Sequence, residues 1–151
     1  MIDVIIPAYL PSERYHTFLH RAIRSLEQQT FKDFGVIIVL NGCYTDYDTI
    51  IKSFKTNLDI TWLTIKGKAS GAIARNTGIN HSKKAFIAQL DADDQYHPRK
   101  LEAQIKFFNT NPEYSSKAFI DERSEKSYAS PLRPCEPLYV IYMTDGIPQY
   151  D

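Results

Sequence analysis

Cysteine and net charge are both scarce in this sequence. Among its 151 residues are only two cysteines, Cys43 and Cys135, and its 18 basic residues balance 18 acidic ones. Two distant cysteines do not have the spacing of a metal site, so we expect two reduced thiols, with one disulfide as the alternative. A net charge of zero creates no field for nucleic acid or anionic lipid. We therefore expect no nucleic-acid partner, and any anion site must depend on local geometry.

Long apolar runs are missing as well. No stretch approaches the roughly 20 residues of a membrane span, and the start of the chain lacks the basic region of a signal peptide. We therefore expect no membrane anchor and a cytoplasmic location, with peripheral attachment to a membrane as the alternative. Apolar residues still make up 43% of the chain and charged residues 24%, the composition of one soluble globular domain.

Short apolar runs alternate with helical periodicity along the chain. The runs predict strands at 2–6, 35–40, 60–65 and 85–90, with turns or loops directly after the first two. Helices are predicted from Tyr15 to about Gln29, after an N-cap at Asp46, within 67–78, and from Pro98 onward. This alternation is typical of the α/β class with a mostly parallel sheet. One more strand is predicted at 138–143, without a place in the sheet.

The strand predicted at 85–90 ends in three carboxylates within four residues, Asp91, Asp93 and Asp94. Two such charges about 4 Å apart repel by roughly 4 kcal/mol near a protein surface, so they must be solvated, paired with bases or given a cation. Clustered carboxylates suit Mg²⁺ or Mn²⁺, although a solvated acidic turn is the alternative. Unusual residues also follow the first two strands, at 7–9 and 41–42. Since ligands bind beyond the carboxyl ends of parallel strands, the three segments predict one site.

Five ordered segments resemble the family 2 glycosyltransferases, which have the nucleotide-sugar-binding GT-A fold. The matching segments are Val4 to Tyr9, Ser25-Leu26 with Gln29 to Phe31 and Phe34, Val39 to Gly42 with Asp46, Gly71 with Ala74 to Asn76 and Gly78-Ile79, and Leu90 to Asp94 with Pro98. The resemblance implies a donor-binding half over residues 1–112. Residues 113–151 would be a non-matching extension of the same domain, as in a chain truncated on the acceptor side.

The resemblance implies transfer of a sugar from a nucleoside-diphosphate sugar to an acceptor hydroxyl, with inversion. A Mn²⁺ or Mg²⁺ ion would assist the departure of the diphosphate as a Lewis acid. Asp93 would bind this metal directly, Asp91 would contact the ribose or complete the metal's surroundings through water, and Asp94 would support them. A UDP-sugar is the expected donor, and the acceptor could be a saccharide, a lipid or a protein.

The remaining binding residues are implied on the same basis. Pro7, Ala8 and Tyr9 would surround the base, with Tyr9 stacking on it, although core packing is an alternative for Tyr9. Asn41 and Ala92 are expected at the same site. Arg75 would hold the nucleotide through its guanidinium fork, and an ion pair with one of the acids at 91–94 is its alternative. Lys66 and Lys68 are expected to be solvated rather than bound to phosphates.

Two departures from the family pattern limit this interpretation. Leu40 stands where the family often has an aspartate that accepts a hydrogen bond from uracil, so the choice of base depends on Asn41 nearby. No clear general base follows the acidic turn, since Asp145 and the Asp121-Glu122 pair are weak candidates. A catalytically silent nucleotide-sugar-binding module is therefore an alternative. A nucleotidyltransferase is disfavoured because no glycine-rich, lysine-containing phosphate loop lies near the N-terminus.

Overall fold

The computed structural model describes residues 2–111 and the backbone of residues 139–141. Its strands are β1 (Ile2–Leu10), β2 (Phe34–Cys43), β3 (Ile60–Thr64), β4 (Phe86–Gln89) and β5 (Tyr139–Ile141). Its helices are α1 (Glu13–Glu27), α2 (Tyr47–Ser53), α3 (Gly71–His81) and α4 (Lys100–Thr110). Each predicted strand and helix is present, and the Asp46 carboxylate caps α2 by accepting from Thr49 N at 2.8 Å.

The strands form one parallel sheet in the order β3-β2-β1-β4-β5. The predicted α/β class with a parallel sheet is confirmed. The last strand lies beside β4, a position that the sequence did not predict. Because β1 is central and β4 is its neighbour, the carboxyl ends of β1, β2 and β4 meet at one edge, with the acidic turn directly after β4.

The sheet is covered on both faces. Even-numbered residues of β1 and β2 pack with apolar residues of α1, α2 and α4 into the larger core, whereas Ile5, Ile37 and Val39 pack with Ala74 and Ile79 of α3 on the other face. This alternation follows from the two-residue period of a strand. It also decides which residues near the strand ends face the core and which face the site.

Several predicted boundaries are wrong, among them the end of β2, which continues to Cys43 instead of stopping at Leu40. The strand predicted to stop before Pro7 continues to Leu10. It tolerates a proline because β4 pairs with β1 only as far as Ile5. At Pro7, β1 is paired only with β2, and the missing N–H of the proline is on the side where β4 has already ended, so no hydrogen bond between strands is lost. The last helix starts at Lys100 rather than Pro98, since the Pro98 carbonyl accepts from Thr30 N at 2.8 Å.

Several predictions fall outside the described residues. These are the candidate general bases Asp121, Glu122 and Asp145, the partner thiol Cys135, and the boundary of the C-terminal extension. Within the described residues Cys43 has no disulfide partner, and burial raises the pKa of its thiol to about 11. It therefore stays protonated at neutral pH. Within 2–111 and 139–141, no helix combines the length and apolar character needed to cross a bilayer.

An aromatic cluster joins α1 to the end of α2. The His20 ring stacks on Phe54 with centroids 4.1 Å apart, and Phe54 contacts Trp62 of β3 at 5.3 Å. His16 uses both ring nitrogens, with Nε2 2.8 Å from Ser53 Oγ and Nδ1 3.2 Å from Tyr44 OH. Burial lowers the pKa of both histidines below the usual 6.5, His16 and Arg24 lower that of His20 further, and Glu13 partly offsets the shift at His16.

These lowered pKa values make the stability depend on pH. Below pH 6.5 the unfolded chain binds protons on His16 and His20 that the folded chain resists, so the free energy of unfolding should fall as the pH drops from 7.5 to 5.5. Urea unfolding at several pH values measures this slope. His20→Phe keeps the stacking on Phe54 and removes the titrating group, so its slope should be shallower. Parallel curves for the wild type and His20→Phe would contradict this assignment.

Candidate nucleotide-sugar site

A cleft of about 180 Å³ opens at the carboxyl edge of the sheet. It brings together all the predicted binding residues except Ala8, and it also includes residues that were not predicted. The lining residues are Pro7, Tyr9, Tyr15, Phe18, Asn41, Gly71, Arg75, Asp91, Ala92 and Asp93. Ala8 is fully buried because strand alternation turns its side chain into the core, and it does not line the cleft.

A bulge between β1 and β2 shapes one wall of this cleft. The pairing runs regularly to Ala8 and Leu40 and then shifts, so that Leu10 pairs with Cys43. Gly42 takes up the extra residue with φ at +107°, and a Cβ there would lie 3.2 Å from two ring carbons of Tyr9. A bulge of this kind redirects side chains next to a site. Here it lets the Tyr9 ring lie against the backbone of residue 42.

Tyr9 is 39% exposed, so core packing does not account for its side chain. One edge of the ring meets Gly42, and the Lys68 ammonium lies 4.8 Å from the ring centroid. Lys68, predicted to be solvated, thus forms a cation–π contact at the rim of the cleft. The ring offers an aromatic surface at the position predicted for the base.

Asn41 carries a buried hydrogen-bond acceptor at the cleft. The residue is 2% exposed, and its Nδ2 donates to the Ala69 carbonyl at 2.9 Å. Its Oδ1 is buried, and no described residue donates to it. A buried carbonyl without a donor is costly, and such atoms in native proteins commonly await a ligand or a water. Asn41 is among the residues that line the cleft, and its amide is oriented by the bond to Ala69, so this unpaired acceptor belongs to a residue of the site.

A side chain at position 40 cannot form the hydrogen bond to a base that was considered for this position. The Leu40 side chain is fully buried within the larger core and does not line the cleft. An aspartate at position 40 would therefore point into apolar packing, whereas position 41 faces the site. The structure thus brings position 41 to the cleft and leaves position 40 in the core.

Arg75 forms the ion pair that was its alternative interpretation. Its Nη2 lies 2.6 Å from Asp91 Oδ1, and the side chains are 32% and 38% exposed. The pair joins the first turn and a half of α3 to the acidic turn. One carboxylate oxygen does not exhaust the five N–H donors of a guanidinium, so Arg75 keeps donors for an anion in the cleft.

The carboxylates of Asp91 and Asp93 in the acidic turn have different surroundings. Asp91 is paired with Arg75, and its carbonyl accepts from Asp94 N at 3.1 Å, which closes the turn. Asp93 is exposed and lines the cleft, and among the described residues none bonds to its carboxylate. Of the two predicted metal ligands, Asp93 is therefore the one whose oxygens face the cleft unpaired.

Tyr15 and Phe18 were not predicted as site residues. Both belong to α1, where Phe18 fits the apolar helical period and so resembled a core position. In the fold they line the cleft, with ring centroids 5.7 Å apart in an edge-to-face arrangement, and Tyr15 is 42% exposed. Tyr15 also shares the apolar period, since it lies four and seven residues before Leu19 and Ala22, so no signal in the sequence distinguished it from a core residue.

Known proteins resemble this chain in sequence and in fold. The family model described as glycosyl transferase family 2 matches residues 3–147. An uncharacterised glycosyltransferase of Rickettsia bellii is 36% identical over 110 residues, which cover 73% of this chain and 15% of that protein. A second uncharacterised glycosyltransferase, from Methanocaldococcus jannaschii, is 33% identical over 128 residues, which cover 81% of this chain and 43% of that protein. The chain thus spans less than half of the length of these relatives.

Solved structures agree in fold. Residues 1–349 of TarS from S. aureus, in complex with UDP, superpose with a TM-score of 0.64 at 22% identity, covering 74% of this chain and 32% of that one. A mannosyltransferase from Pyrobaculum calidifontis, in complex with GDP-Man and Mn²⁺, gives a TM-score of 0.60 at 18% identity over 71% of this chain and 32% of its own. These structures indicate the GT-A fold, in agreement with the family match. The chain belongs to glycosyl transferase family 2.

Proposed function

We propose that this chain is the donor-binding part of a glycosyltransferase that moves a sugar from a nucleoside-diphosphate sugar to an acceptor hydroxyl. The observation that carries the proposal is the convergence of an aromatic ring, a buried unpaired acceptor, an arginine and an unpaired carboxylate in one cleft. These are the groups that a base, a diphosphate and a metal ion require. The similar proteins that bind UDP and GDP-Man support the donor class.

Asn41 supports a base with an N–H group on its pairing edge. Uracil presents the N3–H donor, which complements the unpaired Oδ1, whereas cytosine presents a lone pair at the same ring position. A site built around a hydrogen bond rejects an analogue that cannot make it. Guanine carries such a donor as well, at N1, and UDP is the nucleotide we propose because a similar structure is in complex with UDP. Tyr9 would then stack on the uracil ring.

This assignment gives a selectivity that can be measured. The chain should bind UDP at least about 10-fold more tightly than CDP, since a lost hydrogen bond to a buried group costs roughly 1–3 kcal/mol. Asn41→Ala should remove most of this preference. Calorimetric titrations with UDP, GDP and CDP provide the comparison, and Asn57→Ala, in the loop before β3, is the matched control. Equal affinity for UDP and CDP in the wild type would contradict the role of Asn41, and preference for GDP would change the base.

The donor set at the acidic turn fits a divalent metal that arrives with the diphosphate. Within the described ranges, no three carboxylate, imidazole or thiol groups come together to hold a metal by themselves. Mg²⁺ is commonly held by one or two carboxylates together with substrate phosphates and water, so a preformed cage is not required. Asp93 would bind the metal directly. Asp91, engaged by Arg75, would contact the ribose or act through a water.

The proposed reaction is a displacement at the anomeric carbon. The acceptor oxygen forms a bond to that carbon, the bond to the diphosphate oxygen breaks on the opposite face, and the acceptor proton passes to a general base. A metal bound at Asp93 would supply Lewis-acid stabilisation of the departing diphosphate. Arg75 adds a fixed positive charge beside the same group, and Tyr9 and Asn41 fix the nucleotide. No described residue is assigned as the base.

A nucleotide-sugar-binding module without catalysis is the second candidate. Donor binding needs only the side chains of the cleft, and none of the described residues that line it is assigned as a general base. Release of UDP from UDP-sugar in the presence of candidate acceptors separates the two. Transfer supports the enzyme, whereas binding of UDP-sugar without hydrolysis or transfer supports the module.

A further inference from the structure

We infer that Gln29, at the end of α1, is a positioning residue for the acidic turn at 91–94 and thereby for the metal ligand Asp93. The inference rests on the proposed function for its ligand. Its structural part rests on hydrogen bonds that do not involve the cleft residues themselves.

Gln29 is a buried polar residue with three hydrogen-bond partners. Its side chain is fully buried, and its Nε2 donates to the carbonyls of Ser25 at 3.1 Å and His97 at 2.9 Å. Its Oε1 accepts from Leu101 N at 3.1 Å. A buried amide is costly unless it is bonded in this way. Two of the three bonds connect Gln29, just after α1, to the segment that follows the acidic turn.

Ser25, one helical turn earlier, makes the neighbouring connection. Its Oγ accepts from Tyr96 N at 3.0 Å and donates to the Ala22 carbonyl at 2.7 Å. The Tyr96 hydroxyl in turn donates to the Gln89 carbonyl at 2.5 Å, directly before the turn. The backbone on both sides of residues 91–94 is thus fixed by one small network that is centred on Ser25, Gln29 and Tyr96.

Core packing alone does not require this network. A methionine at position 29 would fill a similar volume without any hydrogen bond, so the glutamine is needed for the backbone atoms of His97 and Leu101. The base-binding side of the cleft is held by other elements, namely the β1–β2 bulge for Tyr9 and the Ala69 carbonyl for Asn41. Loss of Gln29 should therefore displace the metal side of the site and spare the base side.

The test compares Gln29→Met with Gln104→Met in the full chain. Gln104 is a suitable control because it is 4% exposed and its Oε1 has no hydrogen-bond partner in the described structure. UDP is titrated by calorimetry with Mn²⁺ and with EDTA, and amide hydrogen exchange of residues 90–97 is measured without ligand. Ser25→Ala, which removes the acceptor for Tyr96 N, is a second variant in case Gln29→Met does not fold.

Gln29→Met should lose about 10-fold in UDP affinity with Mn²⁺, as expected when the support of a metal ligand is removed, and should match the wild type in EDTA. Hydrogen exchange of amides 90–97 should become faster. Ser25→Ala should likewise lower the UDP affinity measured with Mn²⁺ and speed up the exchange of these amides. Unchanged Mn²⁺-dependent affinity, equal losses with Mn²⁺ and EDTA, or the same losses in Gln104→Met would overturn the inference. Absence of Mn²⁺-dependent UDP binding in the wild type would instead overturn the proposed function. In that case the amide hydrogen exchange of Gln29→Met would still test whether Gln29 holds the acidic turn in place.

Discussion

Asp93→Asn should abolish the contribution of Mn²⁺ to UDP binding. Asparagine keeps the size of the side chain and removes the charge, and Asp93 is the carboxylate of the turn that faces the cleft unpaired. Loss of a residue that merely supports a metal ligand typically costs 10–100-fold in metal affinity, so loss of the ligand itself should cost about 100-fold or more. Titration of UDP at saturating Mn²⁺, with EDTA as the reference, measures the difference.

The controls for this experiment separate the metal from general electrostatics. Asp48→Asn removes one exposed charge on α2, far from the acidic turn in sequence, and should leave the Mn²⁺ effect unchanged. Asp91→Asn should weaken UDP binding with and without Mn²⁺, because it removes the partner of Arg75. If Asp93→Asn keeps the full response to Mn²⁺, the metal is not held at this turn.

Gly78→Val should cause the largest loss of stability among substitutions in α3. A Cβ at this position would lie 2.6 Å from Ile5 Cγ2 and 3.3 Å from Val39 Cγ2, both in the fully buried core between α3 and the sheet. Overpacking of a core costs typically 1–3 kcal/mol, and valine adds two more methyl groups beyond the Cβ. We expect a loss of about 3 kcal/mol in the free energy of unfolding, measured by urea denaturation.

Ala72→Val is the matched control for Gly78→Val. It places the same side chain in the same helix at an exposed position, so it should lose only the roughly 0.5 kcal/mol of helix propensity that separates alanine from valine. A loss for Gly78→Val no larger than for Ala72→Val would mean that α3 can move away from β1. The Arg75–Asp91 pair would then be less firmly placed than the packing indicates.

The fold follows from local patterns that the sequence displays directly. Buried strands of a parallel sheet appear as apolar runs, and α1 and α4 appear as apolar stripes of helical period, so their existence and order were predictable. The end of β1 was not, because whether a proline is tolerated depends on where a neighbouring strand stops pairing. That neighbour, β4, lies about 80 residues away in the sequence.

The site shows the same division between local and non-local information. The acidic turn stands out because three of its four residues are aspartates, and Arg75 and Tyr9 stand out through the family pattern. Which of positions 40 and 41 faces the cleft depends on the phase of β2 at the bulge, and the pattern suggested Leu40 where the fold assigns Asn41. The network around Gln29 joins residues about 70 positions apart, so only the fold could reveal it.

A titration of the isotopically labelled chain with UDP and Mg²⁺, followed through the backbone amide resonances, tests the central claim most directly. We expect saturable shift changes confined to the carboxyl edge of the sheet, at residues 8–9, 41–42, 75 and 91–94. Little change is expected at the aromatic cluster around His20 and Phe54. No saturable change, or changes centred away from the cleft, would contradict the assignment of this cleft as the nucleotide-sugar site.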